Sequence, residues 1–171
     1  MQDAELFLSI AEIAGVFVGF GALIALRSGA SDPYEVAPVR MVVSAGVLTM
    51  VAGLAPVTLA RYGLANHDVW FLCSILVLVG DASVSLIAAR TTEYRAVFAT
   101  FRRTRVARLE VAATVLVNGV MALALLVVVL GLAPALDATL YFTAIVLILI
   151  QAAWVLLEVV FAHMRPPEAT K

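Results

Sequence analysis

Apolar residues fall into five long runs along the chain, separated by short polar connections. The runs cover residues 5–26, 39–62, 69–89, 110–132 and 138–162. A membrane-spanning helix needs about 20 predominantly apolar residues, and each run meets that length. The pattern predicts an all-α polytopic membrane protein with five transmembrane helices, folded as a single integral membrane domain over residues 1–171.

Composition supports the same class of protein. Hydrophobic residues make up 64% of the 171 positions and charged residues 13%, whereas a soluble domain carries about 25% charged residues. The net charge of -1 provides no basic field of the kind that nucleic-acid binding requires. We therefore expect the lipid bilayer, and not nucleic acid, as the surroundings of the chain.

The eleven Lys and Arg residues are distributed unevenly over the connections. All but Arg61 lie between the first two runs or at the start of the second (Arg27 and Arg40), between the third and fourth runs, or in the C-terminal tail. With five spans these positions share one side of the membrane. The positive-inside rule then places the N-terminus outside and the C-terminus in the cytoplasm. An Arg-rich, Lys-poor chain without a targeting sequence favours a bacterial inner (plasma) membrane.

The longest connection, between spans three and four, has an amphipathic pattern. Tyr94, Val97, Phe98 and Phe101 recur at helical spacing opposite Arg95, Arg102 and Arg103, and Arg105 follows as a further candidate for lipid or partner contact. A basic amphipathic helix of this kind lies in the headgroup layer and attracts anionic phosphates. We predict such a helix at the cytoplasmic face, acting as a topological anchor, with contact to anionic lipid or a partner protein as the alternative.

Five polar residues lie within the apolar runs: Glu12, Asp81, Asn118, Gln151 and Glu158. A carboxylate near the centre of a membrane helix costs about 2.5 to 3.5 kcal/mol, so these side chains are expected to avoid lipid. At 1.5 Å per residue, the five positions form a ladder across the bilayer. Glu12 lies in the outer third, Asp81 and Gln151 lie near the midplane, and Glu158 and Asn118 lie in the inner third.

The partners of these side chains remain open at this point. Glu12 has Arg61 as a candidate ion-pair partner, because Arg61 follows span two at the outer side. Asp81 has no basic residue near its depth, so it is hydrogen-bonded to Gln151 or to nearby serines, solvated, or protonated. An ionisable group at the midplane is a functional candidate by default.

Small residues in the first two spans predict close helix packing. Ala11, Gly15 and Gly19 follow small-xxx-small spacing, and Gly46 and Gly53 lie one heptad apart. Such stripes let helix backbones approach closely. A sharper alternative is that span one lines a pore or a subunit contact, with Glu12 forming a ring of carboxylates. In span two, Pro56 is expected to kink the helix and free a carbonyl.

The sequence contains few side chains that could support catalysis or bind a metal. His67 and His163 are predicted on opposite membrane faces, and Cys73 is the only cysteine, so neither a shared metal nor a disulfide is expected. No P-loop or H-E-x-x-H motif is present. We therefore expect no catalysis, no metal site and no cofactor.

The preferred functional hypothesis is a homo-oligomeric channel or transporter for protons or small cations. Every ionisable group well inside the spans is an acid, so a path built from them would favour cations. Glu12 would collect the ion, Asp81 with Gln151 would form the central site, and Glu158 with Asn118 would form the exit. The alternative is a non-conducting membrane assembly or accessory subunit that binds a partner protein or anionic lipid.

Overall fold

The structure is a computed structural model that describes residues 4–27, 33–91 and 105–164. Its elements are α1 (Ala4–Arg27), α2 (Pro33–Ala60), α3 (Asn66–Arg90), α4 (Arg105–Val129), a single 3₁₀ turn (Pro134–Leu136) and α5 (Asp137–Met164). All five helices of this described part are long and apolar enough to cross a membrane. The prediction of an all-helical, multi-pass membrane protein is confirmed at this level.

Two helices end earlier than the apolar runs because glycines stop them. Gly63 and Gly131 both adopt positive φ angles, of 73° and 63°. At the end of α4, the amides of Gly131 and Leu132 donate to the carbonyls of Val128 and Val127, which is a Schellman motif. Hydropathy continues through Leu130 and Leu132, so an apolar run alone does not reveal this helix end.

The helices form one bundle in which α2 and α5 are central. Helix α5 packs against each of the other four helices, and α2 packs against α1, α3 and α5. We call the end where α1 begins the N-terminal end of the bundle, and the end where α5 finishes the C-terminal end. The connections 61–65 and 130–136 lie at the N-terminal end.

Buried side chains concentrate toward the N-terminal end and fill the space between the helices. We call this cluster the N-terminal core; it contains Phe7, Ile10, Ala52, Val69, Trp70, Cys73, Val77, Met121, Leu125, Val128, Tyr141, Ala144, Ile145 and Ile148. The rings of Phe7, Trp70 and Tyr141 lie with their centroids 5.6 to 6.1 Å apart, within the range of favourable aromatic pairs. The N-terminal half of the described bundle is therefore packed with apolar side chains.

Glycines of α2 set the closest helix contact. A Cβ built at Gly53 would lie 2.8 Å from the carbonyl oxygen of Phe7, and one at Gly46 would lie 2.7 Å from a methyl group of Val18. These distances leave no room for a side chain, so α1 and α2 approach closely, as small residues permit in membrane bundles.

Candidate functional site

Three of the five polar residues within the spans lie on faces that their helices turn toward the interior. Asp81 follows buried Ser74 by one heptad on α3, Gln151 follows buried Ala144 by one heptad on α5, and Asn118 precedes buried Leu125 by one heptad on α4. Helices α3, α4 and α5 contact one another pairwise. Asp81, Asn118 and Gln151 thus lie on the sides of their helices that carry buried residues, and we call them the polar triad.

A contact at the N-terminal end fixes the relative depth of these residues. His67 Nδ1 and Asp137 Oδ2 are 2.7 Å apart, so the starts of α3 and α5 lie level. The same number of residues separates His67 from Asp81 and Asp137 from Gln151. Asp81 and Gln151 therefore lie at similar depth, on the C-terminal side of the N-terminal core.

The two amides of the triad meet at one backbone carbonyl. The Asn118 side chain donates to the Thr114 carbonyl at 3.0 Å, and the Gln151 side chain reaches the same oxygen from α5 at 3.5 Å. The Thr114 hydroxyl donates to the Glu110 carbonyl. This shared carbonyl links α4 to α5 on the C-terminal side of the N-terminal core.

Asp81 is half-buried at a depth similar to that of Gln151, and no residue in the described ranges forms a hydrogen bond or ion pair with its carboxylate. The bond to Gln151 that the sequence suggested is not formed, since Gln151 turns to Thr114 instead. The nearby Ser83 hydroxyl is also engaged, because it donates to the Val79 carbonyl at 2.6 Å. Asp81 is thus a half-buried carboxylate that has no hydrogen-bond or ion-pair partner among the described residues.

Glu12 lies on the outside of the bundle. The packed side of α1 carries buried Phe7, Ile10, Ala11, Ala14 and Gly21. Glu12 points to the opposite side of the helix and is exposed. We call that side the far face of α1; it comprises Glu5, Leu8, Glu12, Gly15, Val16, Gly19 and Leu23.

The alternative ion pair between Glu12 and Arg61 is not formed between these two described residues. The register of α1 on α2 explains the absence: Phe7 and Ala11 lie beside Gly53, so Glu12 lies level with the residues just before Gly53. Arg61 is about ten residues further along the antiparallel helix, which is roughly 15 Å at 1.5 Å per residue.

Glu158 also lies outside the bundle, on a different helix. Its carboxylate accepts a hydrogen bond of 2.6 Å from the indole Nε1 of Trp154, one turn earlier on the exposed side of α5. The five polar residues therefore occupy three separate places. The polar triad faces the interior, whereas Glu12 and Glu158 face the surroundings from α1 and α5.

The small residues also divide into two groups. Ala11, Gly46 and Gly53 lie in the α1–α2 contact, where Ala11 Cβ would be 3.2 Å from a Cβ at Gly53. By contrast, a Cβ at Gly15 or Gly19 meets nothing within 4 Å. These two glycines lie on the far face, because the packed side of α1 is turned away from them, and their predicted role in close helix packing stays a prediction for a contact outside the described bundle.

Two apolar grooves lie on the described bundle. One runs between α2 and α3 and is lined by residues that include Val47, Leu48 and Gly80. The other runs between α1 and α5 beside Phe17, Leu157 and Phe161. Neither groove is lined by any of the five polar residues of the spans, so these grooves do not connect the five residues into one path.

Two polar contacts were not foreseen from the sequence. The Tyr141 hydroxyl donates to the Ala52 carbonyl at 2.8 Å, which is the carbonyl that Pro56 leaves without a helical donor. The side chain of Asp137 is 1% exposed, and its Oδ2 lies 2.7 Å from Nδ1 of His67. The other carboxylate oxygen, Oδ1, is buried and has no hydrogen-bond partner among the described residues. Pro56 indicates that the carbonyl four residues earlier, at Ala52, has no helical donor. Nothing local in the sequence identifies Tyr141 as the residue that donates to it.

The basic segment between spans three and four cannot be compared with its prediction. Arg95, Arg102 and Arg103 lie outside the described residues, and α4 begins at Arg105. Across the described ranges, no group of three or more His, Cys, Asp and Glu side chains is arranged to hold a metal ion.

Fold and site together define a multi-pass helical membrane protein with a packed core and with polar residues on the outer surface of two of its described helices. In the comparisons with known proteins, no family model, no curated protein and no solved structure matches the chain.

Proposed function

We propose that the protein is a non-catalytic subunit of a membrane assembly and that the far face of α1 contacts a neighbouring membrane helix. The observation that carries this proposal is the exposure of Glu12 on that face. A carboxylate in contact with lipid near the centre of a spanning helix costs about 2.5 to 3.5 kcal/mol. A neighbouring protein removes that cost by covering Glu12 and bonding to it.

Glu12 is too deep to escape to the membrane surface by extending its side chain. The span runs from Ala4 to Leu26, so Glu12 lies about eight residues, or roughly 12 Å, from the start of the span. Glu158 is different, because it lies near the end of α5 and already bonds to Trp154. Trp residues favour the membrane–water interface, and this pair serves as an anchor there.

The proposed setting is a bacterial inner membrane, with the N-terminal end of the bundle outside and the C-terminal end in the cytoplasm. The distribution of arginines supports this orientation. In this setting the basic segment between α3 and α4 contacts anionic lipid at the cytoplasmic face. The homo-oligomer expected from the sequence is one form of the assembly, and its size is measurable in mild detergent.

Photocross-linking in native membranes tests the proposal. Val16 on the far face is 54% exposed and Leu123 on α4 is 63% exposed, so the two positions form a matched pair. A photoreactive phenylalanine analogue at Val16 is expected to give a protein adduct of one defined mass, and the same analogue at Leu123 to give none. The absence of a protein adduct at Val16 would show that the far face meets only lipid.

A second function is favoured by the polar triad: handling of protons or small cations at Asp81. An intramembrane carboxylate that no described residue bonds to, at a depth similar to that of the Gln151 amide, suits cation binding. The N-terminal core closes the described bundle on one side of this site, so the ion would exchange with the C-terminal end or pass between subunits. Glu12 and Glu158 would then belong to a path only in an oligomer.

Proteoliposome flux distinguishes the second function from the first. A pH-sensitive dye reports proton entry, and Asp81→Asn is expected to abolish flux while leaving the assembly intact. Asp68→Asn, an exposed change outside the triad, is the matched control. The absence of flux in the wild-type protein would remove this function and leave the assembly proposal in place.

A further inference from the structure

The far face of α1 combines a charge with an open, shallow surface. Glu12 is exposed about one turn from the midpoint of the span Ala4–Leu26, and the described residues supply it with no ion pair. Gly15 and Gly19 follow on the same face, and space is open around both. A helix that crosses at these glycines approaches the α1 backbone closely, because neither glycine has a side chain to hold it away.

The chain itself contains no cation that would meet Glu12 from a second copy. Its Lys and Arg residues lie outside the spans or within a few residues of a span end, at positions 27, 40, 61, 90, 95, 102, 103, 105, 108, 165 and 171. At the depth of Glu12 in the membrane, the spans of a second copy therefore offer no Lys or Arg side chain as a partner. Two copies meeting at Glu12 would place two carboxylates of like charge together, which opposes that contact.

We infer that the far face of α1 binds a transmembrane helix of a different protein that carries a Lys or Arg at the depth of Glu12. This inference rests on the proposed assembly function and specifies the chemistry of the partner. The basic side chain pairs with the Glu12 carboxylate, and Gly15 and Gly19 allow the two backbones to approach. A helix without a Lys or Arg at this depth would leave the Glu12 charge unpaired in the bilayer, which is costly. The need for a basic residue therefore selects against such helices as partners.

A synthetic helix provides the probe. A Leu-rich transmembrane peptide with one Lys at the depth of Glu12 is reconstituted with the full chain in phosphatidylcholine vesicles, and binding is measured by energy transfer. The Lys peptide is expected to bind about tenfold more tightly than the same peptide with Leu, a difference of about 1.4 kcal/mol. A peptide with the Lys moved two turns toward its end is expected to lose this gain.

Variants of the protein assign the effect to the far face. Glu12→Gln is expected to bring binding of the Lys peptide down to that of the Leu peptide, whereas Glu5→Gln, on the same face but near the helix end, is expected to leave it unchanged. Gly19→Leu is expected to weaken binding by blocking close approach. Gly119→Leu is its control, since Gly119 is also exposed with nothing within 4 Å. Circular dichroism checks that each variant keeps its helices.

Three outcomes overturn the inference. Equal binding of the Lys and Leu peptides, or full binding by Glu12→Gln, removes the cationic partner. Self-association that depends on Glu12 in vesicles without peptide assigns the face to a second copy, and the assembly function then stands. The loss of the Val16 cross-link in native membranes is a separate result, because it overturns the assembly function itself.

Discussion

Tyr141 illustrates how a single side chain compensates for a defect in a neighbouring helix. Pro56 has no amide hydrogen, so the Ala52 carbonyl lacks the donor that a regular helix supplies. The hydroxyl of buried Tyr141 donates to that oxygen at 2.8 Å. Since lipid offers no alternative donor, this hydrogen bond ties α5 to α2 within the N-terminal core.

Removing the hydroxyl is expected to destabilise the protein. Tyr141→Phe should lower the free energy of unfolding by about 1 kcal/mol, because interhelical hydrogen bonds in membrane proteins contribute about 0.6 to 2 kcal/mol. The measurement is reversible unfolding in bicelles titrated with a denaturing detergent. Tyr62→Phe is the control, because Tyr62 is 77% exposed and its change is expected to have no effect.

A double-mutant cycle with Pro56→Ala tests the proposed cause. Alanine restores an amide that donates to the Ala52 carbonyl within α2. The cost of Tyr141→Phe is therefore expected to be smaller in the Pro56→Ala background than in the wild type. An unchanged cost would mean that the hydroxyl stabilises the protein through another contact.

Among the helices, the pairing of α1 with α2 depends on which small residues face which neighbour. Gly53 lies against the Phe7 carbonyl, whereas Gly15 and Gly19 face away from the bundle. Apolar residues surround a membrane helix on all sides, so hydrophobic periodicity does not distinguish the packed face from the lipid-exposed face. Five helices were therefore predictable from the sequence, but the helix faces in contact were not.

The same limit applies to the candidate site. The depth match of Asp81 and Gln151 follows from counting residues along the helices, and the His67–Asp137 contact agrees with it. The positions of Glu12 and Glu158 outside the bundle depend on the rotation of α1 and α5 about their axes. That rotation is set by long-range packing, such as Phe7 against Trp70 and Tyr141, which no local pattern encodes.

Adding one methyl group to α2 tests the close contact. Gly53→Ala is expected to lower the free energy of unfolding by about 1 to 3 kcal/mol, since overpacking displaces backbone in a close-packed interface. The nearest atom is the Phe7 carbonyl oxygen, which belongs to the backbone and cannot rotate away. Gly15→Ala is the matched control on α1. Equal effects of the two changes in the bicelle titration would contradict the assigned packing.

For the molecule as a whole, orientation determines which side of the membrane meets each functional feature. The N-terminal core, Tyr62 and the His67–Asp137 contact share one end of the bundle, and Thr91 lies at the other. The arginine distribution favours the N-terminal end outside. The polar triad, on the C-terminal side of the core, would then have its shorter route to the cytoplasm.

Cysteine labelling in intact bacterial cells checks this orientation. Tyr62→Cys is expected to react with a membrane-impermeant maleimide from outside, and Thr91→Cys is expected to react only after permeabilisation. The wild-type chain provides the blank, because Cys73 is buried. A reversed labelling pattern would place the basic connections outside, against the positive-inside rule. The polar triad would then be nearer to the external medium, and any ion bound at Asp81 would exchange with that side.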